Sequence, residues 1–316
     1  MNYTKPPLTY AQQADQLIAR GMAGDRDLII SRLQAVSYYR LSGYWYPFRL
    51  ANPADPSTRL DRFRDGTTFA EVWNRYAFDR RLRLLVMDAI ERVEVEVRSQ
   101  LAYHHSHRYG AFAYAMDPQS LPSLRPSERR VRYLEDCDKQ YRQAKETFVE
   151  HFRKKYGDQH ACLPVWMACE VMTFGGMLTF HLGCHADIRR EIAKPFGVHD
   201  TVFDSWLLTF NTVRNICAHH GRLWNRELGV KPKIPSKGAA WHTPVSVGND
   251  RAFCVLTLCK WSLNRIAPQS RWADRLRDLL KEFPAIPRVS MGFPPDWEQC
   301  PIWSSSVVML QQGKRA

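Results

Sequence analysis

The sequence lacks the short motifs that mark several large enzyme classes. It contains no GxxxxGK(S/T) phosphate loop, no HExxH pair and no GxSxG elbow, which argues against an NTPase, a zinc protease and a serine hydrolase. Its eight cysteines form no CxxC pair, and the closest, Cys162 with Cys169 and Cys254 with Cys259, lie seven and five residues apart. Because zinc ligands are usually spaced more closely, we expect reduced structural thiols and no metal or other cofactor.

A long hydrophobic run without charge is also missing. The first twenty residues are polar and Gln-rich, with no apolar segment that could serve as a signal peptide, so a cytoplasmic location is expected. The most apolar stretch, Leu163–Cys184, contains Glu170 and a Gly-Gly pair. Because a carboxylate at the centre of a spanning helix costs about 2.5–3.5 kcal/mol, we expect a buried helix of a soluble protein and no membrane partner.

The charge of the chain is strongly positive. Forty-five Lys and Arg residues against 32 Asp and Glu residues give a formal net charge of +13. This balance favours a polyanionic partner, with nucleic acid as the first candidate and an anionic membrane surface as the alternative. A hydrophobic content of 45% with 24% charged residues is typical of a folded globular chain and excludes global disorder.

Helical periodicity dominates, and no Asn-Gly or Asp-Gly pair separates alternating strands, so an all-α fold is predicted. The predicted helices are Phe69–His107, Ser127–Lys155, one opening at Pro164, one capped by Asp200, Arg251–Ala267 and Arg271–Phe283, before an extended Pro-rich end at Pro284–Trp303. The predicted organisation is an N-terminal helical lobe (1–66), a helical-bundle core (67–230), and C-terminal helices with a Pro-rich tail (231–316). These parts are expected to form one compact unit.

The residues Arg214 and His219 form an R-x4-H motif at the end of the helix predicted from Asp200. Histidine can act as general acid or base near neutral pH, and arginine can stabilise charge on a phosphate through its planar fork. Asn215 and His219 share a helix face, whereas Arg214 and His219 diverge by about 140°. Only the long arginine side chain, or a second copy of the chain in a two-fold dimer, could bring both groups to one phosphate.

The motif lies in a basic stretch, Arg214–Lys237, which contains six Lys or Arg residues and one Glu. This concentration favours contact with a nucleic-acid backbone. The candidate RNA-binding residues are Arg222, Arg226, Lys231 and Lys233, with Arg98 from the long helix. A basic helix end that serves only to cap the helix remains the alternative interpretation.

Two other patterns admit both a functional and a structural interpretation. Arg98 and His104 form an R-x5-H pair, but Glu94 lies four residues before Arg98, as in an ordinary helical ion pair. The aromatic cluster Tyr38–Phe48 could stack RNA bases, although such density more often anchors a core.

Glu170 and His220 are predicted to support the motif. Glu170 is the only formal charge between Leu163 and His181, and a buried carboxylate is normally paired, so we expect it to lie near Arg214 and orient the guanidinium. His220 follows His219 directly, and two adjacent helical histidines point about 100° apart, which argues against a metal pair.

Several blocks of the sequence, in order, resemble the Abi-like abortive-infection bacteriophage-resistance proteins of the AbiD and AbiF types. The blocks are Lys5–Tyr10, Ser37–Phe48, Gly66–Phe69, Phe78–Arg83, Ile90–Glu94 with Arg98, Pro164–Gly175, Arg214–Asn225 and Met291–Pro294 with Trp297 and Trp303. The resemblance covers nearly the whole chain.

That family is grouped with the HEPN superfamily, so the resemblance implies an all-α homodimer that cleaves RNA without a metal. It places Arg214 and His219 at the two motif positions and Asn215 at the polar position after the arginine. It also implies phage defence by growth arrest or action as a toxin, with an antitoxin or regulatory RNA as a further partner. A non-catalytic RNA-binding defence protein of the same fold is the alternative, and a helical partner subunit for a nucleotidyltransferase is a third hypothesis.

Overall fold

The structure, a computed structural model, describes residues 2, 4 and 6–304. This part of the chain forms fourteen α-helices and one antiparallel two-stranded sheet. The helices are α1 (Tyr10–Ala19), α2 (Arg26–Val36), α3 (Tyr38–Trp45), α4 (Phe69–Tyr109), α5 (Ala113–Met116), α6 (Ser127–Gln143), α7 (Thr147–Tyr156), α8 (Val165–Val171), α9 (Phe174–Gly183), α10 (Ala186–Ala193), α11 (Asp200–Ala218), α12 (Ala252–Ile266), α13 (Trp272–Glu282) and α14 (Pro301–Ser304). The strands are β1 (Arg49–Asn52) and β2 (Asp55–Phe63). The all-α prediction is confirmed.

The chain divides into two compact units. The first contains the described residues up to Arg83 together with Arg277–Ile286, and the second contains Leu84–Leu276 together with the described residues from Pro287 onward. The candidate motif of α11 therefore lies in the second unit.

The first unit has a buried polar cluster in its core. The Tyr44 hydroxyl donates to Asp79 Oδ2 at 2.7 Å, and Arg83 Nη1 donates to the same oxygen at 2.6 Å. All three residues are at most 5% exposed. Removing one member of such a buried ion pair costs about 3–5 kcal/mol, because the remaining charge has lost its partner.

The aromatic cluster Tyr38–Phe48 of this unit is mixed in its burial. Tyr44, Trp45 and Phe48 lie in the core, as the structural interpretation expects, whereas Tyr39 is 89% exposed.

The aromatic cluster is followed by the hairpin of β1 and β2, which was not predicted from the sequence. The two strands are joined by an Asn-Pro-Ala-Asp turn in which Asn52 pairs with Asp55. This turn lacks the Asn-Gly or Asp-Gly pair that usually indicates a hairpin in a sequence.

The second unit is built around α12, which is buried over most of its circumference. Helix α11 packs against α9, α10 and α12. The C-terminal segment was predicted to be extended, and this prediction is wrong. It forms short helical turns at Arg288–Met291 and Trp297–Gln299 before α14, because the buried side chains of Met291, Trp297 and Trp303 fold it onto the core.

Two predicted helices are each divided in the structure. The segment Ser127–Lys155 breaks between α6 and α7, where Ala144 and Glu146 have extended backbones. The apolar helix expected from Pro164 breaks between α8 and α9, because the Thr173 hydroxyl accepts from the Gly176 backbone N–H at 3.1 Å and caps a new helix. Within the described part of the chain, no helix combines the length and apolarity needed to cross a bilayer.

All eight cysteines are free thiols, and six of them are buried. The six buried cysteines behave as core residues, in agreement with the structural interpretation. Burial raises the pKa of the Cys137 thiol to about 11, so this side chain stays protonated at neutral pH.

The side chain of His105 on α4 is buried in the second unit. It has no exposed surface and packs against the rings of Tyr109 and Phe180 at centroid distances of 5.1 and 4.9 Å. Burial lowers the pKa of His105 to about 4, since the imidazolium form would lose its hydration. The folded protein therefore keeps this ring neutral over a pH range in which the unfolded chain protonates it.

We expect His105→Leu to reduce the loss of stability at low pH. Between about pH 6.5 and pH 4 only the unfolded chain binds this proton, so the free energy of unfolding falls with falling pH by about 2–3 kcal/mol from this residue alone. Urea unfolding at pH 7 and pH 4 measures the difference. The matched control is His151→Leu at an exposed position, which should keep the wild-type pH dependence. An equal loss in wild type and His105→Leu would contradict the assignment.

Candidate active site

Helix α11 presents one face to the core and the other to solvent. Its apolar stripe is fully buried, with Phe203, Trp206, Leu207, Phe210 and Val213 at 0% exposure. The opposite face carries Asn211, Asn215 and His219 at intervals of four residues, which places them in one row along the helix. The helix begins at Asp200, and its N-cap is His199, whose side chain accepts from the Thr201 backbone N–H. The prediction that Asp200 is the cap is therefore off by one residue.

A buried polar network fixes α11 against the two preceding helices. Asp204 Oδ1 lies 2.7 Å from His181 Nε2 of α9, and Asp204 Oδ2 accepts from Arg189 Nη1 of α10 at 2.6 Å. His181 is fully buried, and the Asp204 side chain is 12% exposed. Because one carboxylate holds groups from two helices, the rotation of α11 about its axis is determined.

The C-terminus of α11 closes in a Schellman arrangement. The His220 backbone N–H donates to the Cys217 carbonyl at 3.0 Å, and the Gly221 N–H donates to the Ile216 carbonyl at 2.7 Å. His220 has φ = 58°, a left-handed conformation that glycine usually supplies at this position. His219 is the C-cap, and its own N–H bonds to the Asn215 carbonyl. Its backbone is thus held by the helix end.

The basic segment after the helix is fastened to α11. Trp206 Nε1 donates to the Lys233 carbonyl at 2.8 Å, and the Lys233 N–H donates to the Ser205 hydroxyl at 2.9 Å. Leu223 and Trp224 are buried at 1% exposure and anchor the turn that follows the helix. The segment therefore holds its exposed lysines, Lys231 and Lys233, at fixed positions relative to α11.

An open depression with a volume of about 430 Å³ lies at this end of α11. Its lining residues are Asn211, Thr212, Asn215, Ile216, His219, Gly221 and Arg226. His219 is exposed. Arg226 Nε donates to the Arg222 carbonyl at 3.0 Å, and its terminal Nη groups make no hydrogen bond within the part of the chain that the structure describes. A phosphate in the depression could therefore meet a histidine, an amide and a guanidinium group.

Arg214 reaches this depression only at its edge. Its Nη1 donates to Asn215 Oδ1 at 3.3 Å, and Asn215 is one of the lining residues. The arginine itself does not line the depression, in keeping with the angular divergence expected from the five-residue separation. The structure thus brings Asn215 and His219 together with Arg226, and holds Arg214 beside them through the amide.

The expectation that Glu170 is buried and paired with Arg214 is wrong. Glu170 is exposed on the short helix α8, and no hydrogen bond or ion pair joins it to Arg214 among the described residues. The apolar helix that would have buried this carboxylate is divided in two, and Glu170 lies on the same exposed face as Trp166, which is 50% exposed. Glu170 therefore does not orient the Arg214 guanidinium.

Arg98 has a structural environment. It forms an ion pair with Glu94, the helical pair expected from the spacing, and its side chain is only 11% exposed. Its guanidinium also donates to the carbonyls of Cys169 and Met172, at 2.6 Å for Met172. These are terminal carbonyls of α8, which need such partners. His104 bonds Gln100 on the same helix at 3.1 Å.

The remaining basic candidates differ in their surroundings. Arg222 is half-buried, whereas Lys231 is exposed and pairs with Glu227 at 2.9 Å. This hydrogen bond raises the pKa of Lys231 and lowers that of Glu227. Lys233 is exposed. Arg222 lies in the turn that follows α11, whereas Lys231 and Lys233 lie further along the segment, where Lys233 is attached to Ser205 and Trp206.

Two polar lining residues, Asn211 and Thr212, were not singled out from the sequence. The signal that could have found Asn211 is the spacing of Asn211, Asn215 and His219, which repeats every four residues along one helix face. No group of three or more His, Cys, Asp or Glu side chains is arranged to hold a metal ion among residues 2, 4 and 6–304.

We expect His220→Val to destabilise the protein by about 1–2 kcal/mol, because a β-branched residue is strained in the left-handed conformation. His220→Asn should be tolerated, since asparagine visits this conformation readily. Thermal and urea unfolding of both variants measures the effect. Equal stability of the two variants would show that the helix end is not held in this conformation.

Comparison with known proteins identifies the family. Residues 31–225 match the family model described as Abi-like protein. No curated protein and no solved structure matches the chain. The matched range includes all of α11 and the turn up to Asn225, so the depression lies almost wholly inside it. The chain therefore belongs to the Abi-like family of abortive-infection proteins, a family of phage defence.

Proposed function

We propose that this protein is an endoribonuclease that cleaves RNA without a metal ion and acts in phage defence by abortive infection or as a toxin. The observation that carries the proposal is the convergence of His219, Asn215 and Arg226 in one open depression, with Arg214 bonded to Asn215. The strong positive charge of the chain supports a nucleic-acid substrate. We further propose that the helical core is HEPN-like.

The groups in the depression suit attack by the 2′-hydroxyl of RNA. His219 takes the proton from the 2′-hydroxyl, or gives one to the leaving 5′-oxygen. The O2′–P bond forms as the P–O5′ bond breaks, which leaves a 2′,3′-cyclic phosphate and a 5′-hydroxyl. Arg226, with Arg214 at the edge, stabilises the negative charge that develops on the phosphate oxygens. The Asn215 amide orients the phosphate.

One histidine can serve as base or as acid, whereas the reaction needs both. We propose that the protein acts as a homodimer and that the second copy supplies the other histidine from its own α11. The exposed position of His219 at the helix end supports this, because a residue at an open rim can face the same residue of a two-fold partner.

We expect His219→Ala to slow RNA cleavage by about 100- to 10,000-fold, the usual contribution of a general acid or base. The variant should fold normally, since the side chain is exposed and only its backbone takes part in the helix end. The measurement is cleavage of labelled RNA by purified protein, together with growth arrest after induced expression.

The matched control is His151→Ala, which removes an exposed histidine from α7 of the same unit and should cleave like the wild type. Equal cleavage by a folded His219→Ala variant would contradict the assignment of His219 as the general acid or base. RNA binding by the wild type with no cleavage would instead identify a non-catalytic RNA-binding protein.

A second expected outcome concerns the products and the need for metal. Because a histidine and arginines carry the proposed chemistry, cleavage should persist in EDTA and leave a 2′,3′-cyclic phosphate or 3′-phosphate with a 5′-hydroxyl. An RNA with a single 2′-deoxy nucleotide before the scissile bond should resist cleavage there, and DNA should not be cut. End-mapping and mass spectrometry of the fragments measure this. Restoration of activity by magnesium after chelation, or 5′-phosphate ends, would contradict the proposal.

A further inference from the structure

The first unit contains a polar pocket that the proposed RNA cleavage does not use. Its volume is about 590 Å³, within the range of about 300–1,000 Å³ that is typical of small-molecule sites. The polar lining residues are Gln13, Gln16, Arg20, Tyr38, Arg49 and Asp61, and Pro6 and Leu8 add apolar surface. The polar residues come from α1 and the residue that follows it, the start of α3 and the two strands of the hairpin, and the apolar ones precede α1.

Two arginines of the pocket are held by a single carboxylate. Arg20 Nη2 lies 3.1 Å from Asp61 Oδ2, and Arg49 Nη1 lies 2.9 Å from Asp61 Oδ1. The arginine side chains are 21% and 18% exposed, whereas the Asp61 side chain is 62% exposed. Two guanidinium groups and one carboxylate leave one net positive charge in a partly desolvated place, where an anion is attracted more strongly than at an open surface.

Among the described residues, two buried polar atoms of the lining side chains make no hydrogen bond. They are Arg49 Nε, a donor, and Gln13 Oε1, an acceptor. Buried donors and acceptors are normally paired, so each of these atoms needs an explanation. Both atoms are closed to solvent, so a ligand in the pocket does not reach them unless these side chains shift.

The other polar groups of the pocket are already ordered. Tyr38 accepts a hydrogen bond from Arg20 Nη1 at 2.9 Å and donates to Gln16 Oε1 at 3.3 Å. Gln13 Nε2 donates to the Leu8 carbonyl at 3.0 Å. The groups that a ligand would meet are therefore preorganised, which lowers the entropic cost of binding.

We propose that this pocket binds a phosphate monoester of a nucleoside, with the phosphate on Arg20 and Arg49 and the nucleoside in the remaining volume beside Gln13 and Gln16. Arginine forks match phosphate oxygens in a bidentate manner, and the pocket is larger than a bare phosphate requires. The same chemistry is present in a free mononucleotide and in the 5′-terminal nucleotide of an RNA. A free mononucleotide is the ligand that the pocket volume favours.

The experiment is titration calorimetry of the full chain with AMP, GMP, CMP and UMP, each paired with its nucleoside, and with inorganic phosphate. We expect saturable binding of at least one mononucleotide, and binding at least about tenfold weaker for its nucleoside and for phosphate. A 5′-phosphorylated and a 5′-hydroxyl RNA trinucleotide distinguish the source. Preference for the phosphorylated trinucleotide over every mononucleotide would overturn the assignment to a free mononucleotide.

Variants of lining residues test whether the mononucleotide binds in this pocket. Arg49→Met should weaken the mononucleotide about tenfold or more, because it removes a charged donor. Arg59→Met is the matched control, since Arg59 is exposed on the same hairpin and does not line the pocket. Gln13→Met changes a lining residue of the pocket without breaking an ion pair, so it should fold and also bind more weakly. Circular dichroism and melting curves confirm the fold of each variant.

Absence of saturable binding by all four mononucleotides would overturn the proposal. Binding that survives both Arg49→Met and Gln13→Met but is lost in Arg226→Met would also overturn it, since the ligand would then occupy the depression on α11. None of these results would contradict the RNA-cleavage proposal, because the cleavage test depends on His219 and needs no mononucleotide.

Discussion

The rotational setting of α11 is the constraint on which the candidate site depends. Its core-facing stripe must stay buried, and the Asp204 carboxylate is tied to His181 and Arg189 from two other helices. A turn of one residue, about 100°, would move Phe210 toward water and take His219 away from the depression. Burial of the aromatic face and exposure of the polar face are therefore two consequences of the same packing.

Much of the helical framework follows from periodicity. The limits of α4, α11 and α12 were predicted to within about two residues, because long segments with a regular apolar stripe have few alternative structures. The boundaries that failed were local. A threonine cap at Thr173 ends one apolar helix and begins another, yet composition alone does not distinguish such a cap from a threonine inside a helix.

The candidate site was predictable only in part, since its residues are brought together by different features of the chain. Asn215 and His219 share a face because of helix geometry, which can be read from their spacing. Arg226 reaches the same depression because the chain turns back after a left-handed residue, His220, and this fold of the backbone has no simple signature in the sequence. The burial predicted for Glu170 failed because exposure depends on which neighbouring elements cover a short helix.

The attachment of residues 230–233 along α11 also limits the insertions that the chain can tolerate in this segment. The Lys233 N–H donates to the Ser205 hydroxyl and the Lys233 carbonyl accepts from Trp206 Nε1, which holds Lys233 in register with the helix. The length of the connection from the helix end to Lys233 is therefore fixed. An insertion there would displace the lysines or break the attachment, even though the segment has no regular secondary structure. At the hairpin tip, Pro53 and Ala54, the restraint is local, since the Ala54 N–H donates to Asn52 Oδ1 within the turn at 3.0 Å. Inserted residues, such as an affinity tag or a fluorescent reporter, are therefore better tolerated at the hairpin than beside α11.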